Sequence, residues 1–174
     1  WDEVAKALAD LTYQLCVEVC GSAGVGKTTI MRRLKEEVRQ LLVGTECTVS
    51  AFLAFAAPTG CAAKLLPSPN STLHSLLHLP ISESKKKALA DLSNTSVKER
   101  QMATQQLRLL VIDEKSFIGC RMMYEIDHRL RQIRNDRTIA FGGLCIILMG
   151  DFKQLTPVQD SPFYSDVTAS LTQF

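Results

Sequence analysis

The segment from Gly21 to Thr28 limits what this chain can fold into more than any other part of its sequence. It reads Gly-Ser-Ala-Gly-Val-Gly-Lys-Thr and fits the pattern G-x-x-x-x-G-K-S/T. The apolar residues from Gln14 to Cys20 predict a strand before it, and an apolar stripe from Ile30 to Leu41 predicts a helix after it. This order of strand, glycine-rich turn and helix is the setting in which a phosphate-binding loop works. The sequence therefore predicts a site for a nucleotide.

The loop offers a phosphate group three kinds of contact. Its glycines let backbone N–H groups turn toward phosphate oxygens, and the helix N-terminus adds partial positive charge. We expect Lys27 to reach the β- and γ-phosphates and the Thr28 hydroxyl to bind Mg²⁺. The residues predicted to hold the nucleotide are Gly21, Ser22, Ala23, Gly24, Val25, Gly26, Lys27, Thr28 and Thr29.

An acidic pair, Asp113 and Glu114, follows the apolar strand predicted from Leu107 to Ile112. Taken alone, such a pair after a strand is more often a helix-capping feature than a catalytic site. The presence of Lys27 upstream favours catalysis here. We therefore expect Asp113 to hold Mg²⁺ directly or through water, and Glu114 to orient and deprotonate the attacking water.

A glutamine follows the last predicted strand, which runs from Leu144 to Met149. The segment Gly150-Asp-Phe-Lys-Gln154 places its amide where it is predicted to contact the γ-phosphate and report its presence. Without the other motifs, a polar turn would be the simpler interpretation. Lys27, Glu114 and Gln154 are thus the predicted catalytic residues.

Short apolar strands alternate with amphipathic helices along the chain, which predicts an α/β fold with a mainly parallel sheet covered on both faces. The polar motifs fall at strand ends, where such sheets bind ligands. Residues 81–104 are polar and weakly periodic, so they predict a partly helical surface insertion. Further strands are predicted at 47–57, 107–112 and 144–149, and helices near 4–11, 60–66 and 122–133.

Composition restricts the possibilities less than the motifs do. Lys and Arg total 20 against 18 Asp and Glu, a balance that does not identify a nucleic-acid binder by net charge. The six cysteines include no CxxC pair, and several lie in apolar runs, so we expect buried, reduced thiols in an intracellular protein. No apolar run reaches the 18 residues of a membrane span, so we expect no membrane partner.

Four segments outside the loop form a recognisable series. They are Ala57-Pro-Thr-Gly-Cys-Ala-Ala-Lys64, Thr72-Leu-His-Ser75, Val111-Ile-Asp-Glu114 and Phe141-Gly-Gly-Leu, the last continuing after its strand as Gly150-Asp-Phe-Lys-Gln-Leu-Thr-Pro-Val158. In this order they resemble successive motifs of the Pif-type (petite integration frequency) branch of superfamily-one DNA helicases, and the block that contains Phe141 to Val158 is the most specific part of the likeness. The chain is also similar to transposon-borne, Helitron-like members.

The resemblance implies that residues 1–174 form a three-layer, RecA-like P-loop domain that uses ATP and Mg²⁺ as cofactors. It implies 5′ to 3′ translocation on single-stranded DNA in repair, recombination and telomere maintenance, in the nucleus or mitochondrion of a eukaryote. It also implies a second RecA-like domain, absent from this chain, that supplies an arginine finger. The positions that match DNA-contacting residues are Thr59, Gly60, His74 and Ser75.

Some residues keep a structural alternative. An ordinary structural histidine is the alternative interpretation of His74. His74 and His78 lack a third ligand of suitable spacing, so we expect no zinc site. The arginines between 121 and 137 can attract DNA, but such a run more often marks a solvated helix face. Lys115 and Thr156 depart from the family pattern without removing a catalytic group, and no adenine-reading segment is clear before Gln14.

Two other classes of protein remain as alternatives. Gly-Val-Gly-Lys-Thr-Thr also occurs in the loops of NACHT-like signalling ATPases, which bind nucleotide to change partners. The segments around Pro58 and Gln154 favour the helicase, because those families do not resemble them. A transposon remnant that folds without working is the third possibility.

Overall fold

The computed structural model describes residues 2–10, 12–22, 24–80, 89–151, 156–157 and 160–162. Five strands form one sheet in the order β1-β5-β4-β2-β3, and every pairing in it is parallel. The predicted α/β class with a mainly parallel sheet is therefore confirmed. The strands are β1 Cys16–Cys20, β2 Leu53–Ala57, β3 Asn70–Thr72, β4 Leu109–Ile112 and β5 Cys145–Gly150.

Helices cover both faces of the sheet, which gives the three layers of the predicted fold. Within the described ranges no helix combines the length and the apolar character needed to cross a bilayer. Two short 3₁₀ turns lie in the connections on either side of the last described helix, Lys115–Phe117 and Ala140–Gly143. The helices are α1 Asp2–Ala9, α2 Lys27–Leu41, α3 Val49–Phe52, α4 Gly60–Leu65, α5 Leu73–Leu77, α6 Asn94–Ala103 and α7 Cys120–Arg134.

The core consists of two apolar clusters, one on each side of the sheet. On the first side, Met31, Leu34 and Val38 of α2 pack against the strands together with α1. On the second side, Ile126 and Leu130 of α7 pack against the strands together with α5. Strand β4 is buried at all four positions because both of its faces are covered. Each fully buried side chain of this kind stabilises the fold by roughly 1.5–3 kcal/mol.

The apolar run predicted as one strand from 47 to 57 is only partly a strand. The Thr48 hydroxyl accepts a hydrogen bond from Ala51 N at 3.2 Å and caps the short helix α3, so β2 begins only at Leu53. Strand β3 was not predicted, because its residues Asn-Ser-Thr carry no apolar pattern. It pairs with β2 from Phe55 to Ala57, and this contact between distant residues defines it.

The insertion is a surface feature over the part that the structure describes. Helix α6 buries none of its side chains, and the Ser93 hydroxyl caps it. The segment before α6 docks on α7, where Gln132 Oε1 accepts a hydrogen bond from Leu92 N at 3.1 Å. Residues 94–103 thus form an exposed helix, and the surface insertion over residues 81–104 stays a prediction. Residues 81–88 lie outside the described ranges.

The basic segment from 121 to 137 is only in part the solvated face that the sequence suggested, since Arg137 is exposed and Arg129 is not. Arg129 is 2% exposed, and the other arginines lie against acidic side chains or carbonyl oxygens. The long guanidinium groups reach back over the helix and its neighbours, which a pattern of charges along the sequence does not show. These contacts are Arg121–Glu125 at 3.0 Å, Arg131–Asp127 at 2.8 Å, Arg137–Asp91 at 3.3 Å, and Arg134 to the carbonyls of Thr104 and Leu107, both at 3.4 Å.

The expectation of buried cysteines is wrong for most of them. All six are described and free, and of these only Cys145 is buried. Strand β1 lies at an edge of the described sheet, and its burial alternates along the chain. Val17 and Val19 pack into the core, whereas Cys16 and Cys20 point to the other face, where they are exposed.

Candidate nucleotide site

The glycine-rich loop leaves β1 and runs into α2 through backbone that suits glycine. Gly24 has φ +80° and Gly26 has φ +97°, both in the left-handed region that side chains disfavour. A Cβ on Gly21 would lie 2.8 Å from the Val25 side chain. Gly21 N donates to the carbonyl of Gly150 at 3.1 Å, so the loop is tied to the end of β5. The predicted residue Ala23 lies outside the described ranges.

Helix α2 directs its N-terminus at this loop. Gly26 provides no side-chain cap, and no acidic side chain stands in the first turn, so the helix dipole is available to an anion. The Lys27 ammonium donates to the carbonyls of Gly21 at 2.7 Å and Ser22 at 2.9 Å. This places the positive charge directly over the loop. Thr28 and Thr29 follow in the first turn, and both are exposed.

Asp113 follows β4 and lies opposite the loop. Its backbone N donates to the carbonyl of Ala56 at 2.9 Å, which fixes the chain as it leaves the sheet. Its Oδ1 is buried and has no hydrogen-bond partner among the described residues. Burial raises the pKa of this carboxyl, and a hydrogen bond from the Glu114 backbone and the nearby charge of Lys27 partly oppose that effect. A buried carboxylate oxygen without a donor is suited to a cation.

Glu114 stands next to it on unusual backbone, with φ 56° and ψ 45°. Burial raises the pKa of its carboxyl, the charge of Asp113 raises it further, and Lys27 lowers it. A carboxylate with a raised pKa is a stronger base toward water than an ordinary one. The arrangement can therefore accept a proton beside a phosphate group.

These groups share one cleft of about 330 Å³. A larger groove of about 430 Å³ between α1 and α2 contains none of the predicted site residues. The smaller cleft has the chemistry that the sequence predicted, since it combines backbone N–H groups, a lysine and two carboxyls. Its lining residues are Gly24, Gly26, Lys27, Thr28, Ala62, Leu65, Asp113 and Glu114.

The oxygen atoms at the cleft fit a magnesium ion. Mg²⁺ prefers hard oxygen ligands and usually keeps several waters, taking one or two protein ligands together with substrate phosphates. Thr28 offers a hydroxyl and Asp113 a carboxylate whose buried Oδ1 lacks a donor among the described residues. The predicted pair of metal ligands is therefore compatible with the geometry.

The residues predicted to contact DNA follow β2 and β3 at the same edge of the sheet as the loop. Thr59, Gly60 and Ser75 are exposed, and His74 is half-buried. The Thr59 hydroxyl also has a structural task, because it accepts a hydrogen bond from Ala62 N at 3.3 Å and caps α4. His78 ends α5 in left-handed backbone, so His74 and His78 do not share one helix.

Two residues near the site differ from the others in how far the structure tests them, Gln154 and Lys115. Gln154 belongs to residues 152–155, which are outside the described ranges, so its position relative to the cleft stays a prediction. Lys115 was noted only as a departure from the family pattern, yet it is completely buried beside the acidic pair. A lysine placed directly after the acidic pair was the one available signal.

Comparison with known proteins agrees with this geometry. The profile of the PIF1-like helicase family matches residues 2–173. The ATP-dependent DNA helicase PIF6 of Trypanosoma brucei brucei is 36% identical over 146 residues, which are 84% of this chain and 17% of that protein.

Solved structures show the same similarity. The crystal structure of Bacteroides Pif1 bound to ssDNA has a TM-score of 0.64 at 28% identity and is matched over 99% of this chain and 36% of its own. The structure of Bacteroides sp Pif1 in complex with ADP-AlF4 has a TM-score of 0.65 at 28% identity, over 99% and 35% of the two chains. This chain thus spans about a third of the solved proteins that it resembles. Since the family profile and the fold both extend over nearly all of it, the chain belongs to the PIF1-like helicase family.

Proposed function

We propose that this domain binds ATP with Mg²⁺ and drives a DNA helicase through ATP hydrolysis. The observation that carries the proposal is the meeting of Lys27, Thr28, Asp113 and Glu114 at one cleft. These residues come from two segments of chain far apart in sequence, and each has the chemistry that phosphoryl transfer requires. A Bacteroides relative of the same fold is described in complex with ADP-AlF4.

Each residue has a defined task in this proposal. The loop N–H groups and Lys27 bind the phosphates, and Thr28 with Asp113 holds the magnesium ion. When bound, that ion neutralises charge on the phosphate oxygens. Glu114 takes the proton of the attacking water, a task for which its raised pKa suits it. Gln154 is proposed to contact the γ-phosphate.

The DNA track is proposed at the edge of the sheet that carries Thr59, Gly60, His74 and Ser75. A hydroxyl, backbone N–H groups and an imidazole can bond phosphate oxygens without reading sequence. The Bacteroides relative is described with single-stranded DNA. We propose 5′ to 3′ translocation in genome maintenance, with a second RecA-like domain closing on the nucleotide and supplying an arginine finger. Such a finger is worth about 10³- to 10⁵-fold in rate, so the 174-residue domain alone should hydrolyse ATP slowly and unwind no DNA.

The nucleotide-switch alternative is weaker. It shares the loop with this chain, but it does not explain the family match over residues 2–173. A switch ATPase would respond to a protein partner rather than to single-stranded DNA. DNA-stimulated turnover therefore separates the two functions.

The test measures ATP hydrolysis by the full-length protein with and without single-stranded DNA. We expect DNA to stimulate turnover, and Lys27→Ala to abolish nucleotide binding because the main phosphate cation is lost. Lys35→Ala, on the same helix but away from the cleft, is the matched control and should behave like wild type. Turnover that ignores DNA would favour the switch, and full ATP binding by Lys27→Ala would disprove the assignment of the cleft.

A further inference from the structure

Lys115 is a buried cation directly beside the proposed general base. It is 0% exposed, although it follows Asp113 and Glu114 without a gap. Its ammonium forms an ion pair with Glu18, and it lies 2.8 Å from the sulfur of Cys20. Because a buried ammonium is costly unless it is paired and hydrogen-bonded, these contacts fix where the side chain lies.

The ion pair joins two strands that are not neighbours. Glu18 belongs to β1, which leads into the phosphate-binding loop, and Lys115 follows β4. Strand β5 lies between these two strands in the sheet. Lys115 crosses the end of β5 at Gly150, where a Cβ would stand 2.9 Å from both Lys115 Cγ and Lys115 N. The glycine therefore makes room for the lysine to reach β1.

Lys115, held by these contacts, directly follows Glu114, whose backbone is left-handed. Glu114 has left-handed backbone, which a residue other than glycine keeps only when its surroundings hold it there. The turn that follows is closed by hydrogen bonds from Phe117 N to the Glu114 carbonyl and from Ile118 N to the Lys115 carbonyl, both 3.0 Å. Fixing Lys115 therefore fixes the turn that carries the Glu114 carboxyl.

We infer that Lys115 is a positioning residue, which sets the Glu114 carboxyl relative to the phosphate-binding loop through its ion pair with Glu18. Lys115 does not line the cleft, so it acts through Glu114 rather than on the nucleotide. The pair links the strand before the loop to the turn after β4, the two segments whose spacing decides whether an attacking water meets its base. This inference rests on the proposed ATPase function.

A purely structural ion pair and a positioning pair predict different kinetics. Loss of a structural pair lowers the melting temperature and leaves the turnover of the folded enzyme unchanged. Loss of a positioning pair lowers kcat of the folded enzyme while nucleotide affinity stays, because the loop and Lys27 are untouched. A displacement of about 1 Å at a reacting group can reduce the rate about 100-fold.

The first experiment replaces Lys115 with methionine in the full-length protein, which keeps the length of the side chain without its charge. We expect kcat to fall about 10- to 100-fold while the Kd for ADP changes less than about threefold. Lys98→Met, at an exposed lysine on α6, is the matched control and should retain wild-type kcat. A folded Lys115→Met enzyme with wild-type kcat would overturn the inference.

A double variant tests whether stability alone explains the result. Glu18→Leu with Lys115→Met removes both charges of the pair. Any instability that comes from leaving the Glu18 carboxylate without Lys115 should therefore be relieved relative to Lys115→Met. We expect kcat to stay low in the double variant, and recovery of kcat together with stability would make the pair merely structural. Should Lys115→Met not fold, Glu18→Gln replaces it, and unchanged kcat in that variant would equally overturn the inference.

The outcomes also separate this inference from the function on which it rests. If wild type hydrolyses no ATP even with single-stranded DNA, the proposed function fails and this inference fails with it. If wild type turns over and the Lys115 and Glu18 variants do so equally well, only the positioning role is wrong.

Discussion

The nucleotide cleft and helix α7 use charged side chains in opposite ways. At the cleft, burial raises the pKa of both Asp113 and Glu114, and Asp113 Oδ1 has no hydrogen-bond partner within the described part of the chain. On α7, buried Arg129 donates to Gln132 Oε1 at 2.7 Å and to the carbonyl of Ala90 at 3.2 Å. The Asp113 carboxylate at the cleft thus keeps one oxygen without a donor among the described residues. The terminal nitrogens of Arg129 on α7 bond to protein acceptors, although its buried Nε has no such partner in the same ranges.

The backbone shows the same contrast. Glu114, at the cleft, is left-handed without glycine, and the loop glycines have positive φ. Helix α7 is helical over its 15 residues, with left-handed Asn135 at its C-cap, and its N-terminus donates hydrogen bonds to Asp160 and Ser161. Strained backbone and unpaired polar groups reduce stability, and at the cleft a ligand can use them. The comparison teaches that changes at the cleft should alter chemistry, and that changes on α7 should alter stability.

The largest effect, and so the strongest test of this contrast, is expected for Glu114→Gln in the full-length protein. We expect kcat to fall about 10²- to 10⁴-fold, because the amide cannot accept the proton of the water. Nucleotide binding and melting temperature should remain close to wild type. Glu99→Gln, on the exposed face of α6, is the control and should leave kcat unchanged. Wild-type turnover by Glu114→Gln would remove Glu114 from the mechanism.

Arg129→Ala tests the other half of the comparison. The substitution removes a side chain that is only 2% exposed, together with its part-buried hydrogen bonds to the Ala90 carbonyl and to Gln132, which should cost about 2 kcal/mol of stability. Urea unfolding of the 174-residue domain measures the loss. Arg137→Ala removes an arginine whose side chain is 73% exposed and should change stability by less than about 0.5 kcal/mol. Equal effects of the two substitutions would contradict the contrast.

A smaller effect is expected at Asp160, which caps α7 from a distant part of the chain. Its carboxylate accepts hydrogen bonds from Arg121 N and Met122 N, both at 3.2 Å. Asp160→Ala should destabilise the domain by about 1 kcal/mol, and Asp160→Asn should restore most of that loss because asparagine is also a good cap. Thermal unfolding distinguishes the variants. An alanine variant as stable as wild type would show that this cap contributes nothing.

The smallest effect has a size that depends on pH. The pKa of Asp113 in the folded protein is raised, so folding binds the proton more tightly, and this stability is lost as pH rises above the unfolded value of about 3.8. Asp113→Asn should therefore raise the melting temperature at pH 7, with the gain vanishing near pH 3.5. Asp136→Asn should instead lower the melting temperature at pH 7, because hydrogen bonds from Thr138 lower the pKa of Asp136 in the folded protein. This loss should disappear at low pH. A gain for Asp113→Asn that is independent of pH would exclude the titration of Asp113 as its cause.

The sequence predicted some strands of the sheet correctly and missed others. The strands at β4 and β5 are continuous apolar runs, so their position followed from pattern alone. Thr48 turned the start of one predicted strand into α3, because a side-chain cap competes locally with strand formation. The polar strand β3 had no pattern to detect, since its pairing with β2 defines it.

The sequence by itself determined the family, the phosphate-binding loop and the acidic pair, because loop conformation and strand ends depend on residues that are adjacent in the chain. Only the tertiary structure decided that Lys115 is buried against Glu18, that Arg129 is enclosed and that Asp160 caps α7. The contacts Lys115–Glu18, Arg129–Ala90 and Arg121–Asp160 join residues 97, 39 and 39 positions apart. Folding brings such groups together, and no local pattern records which partner a buried charge will meet.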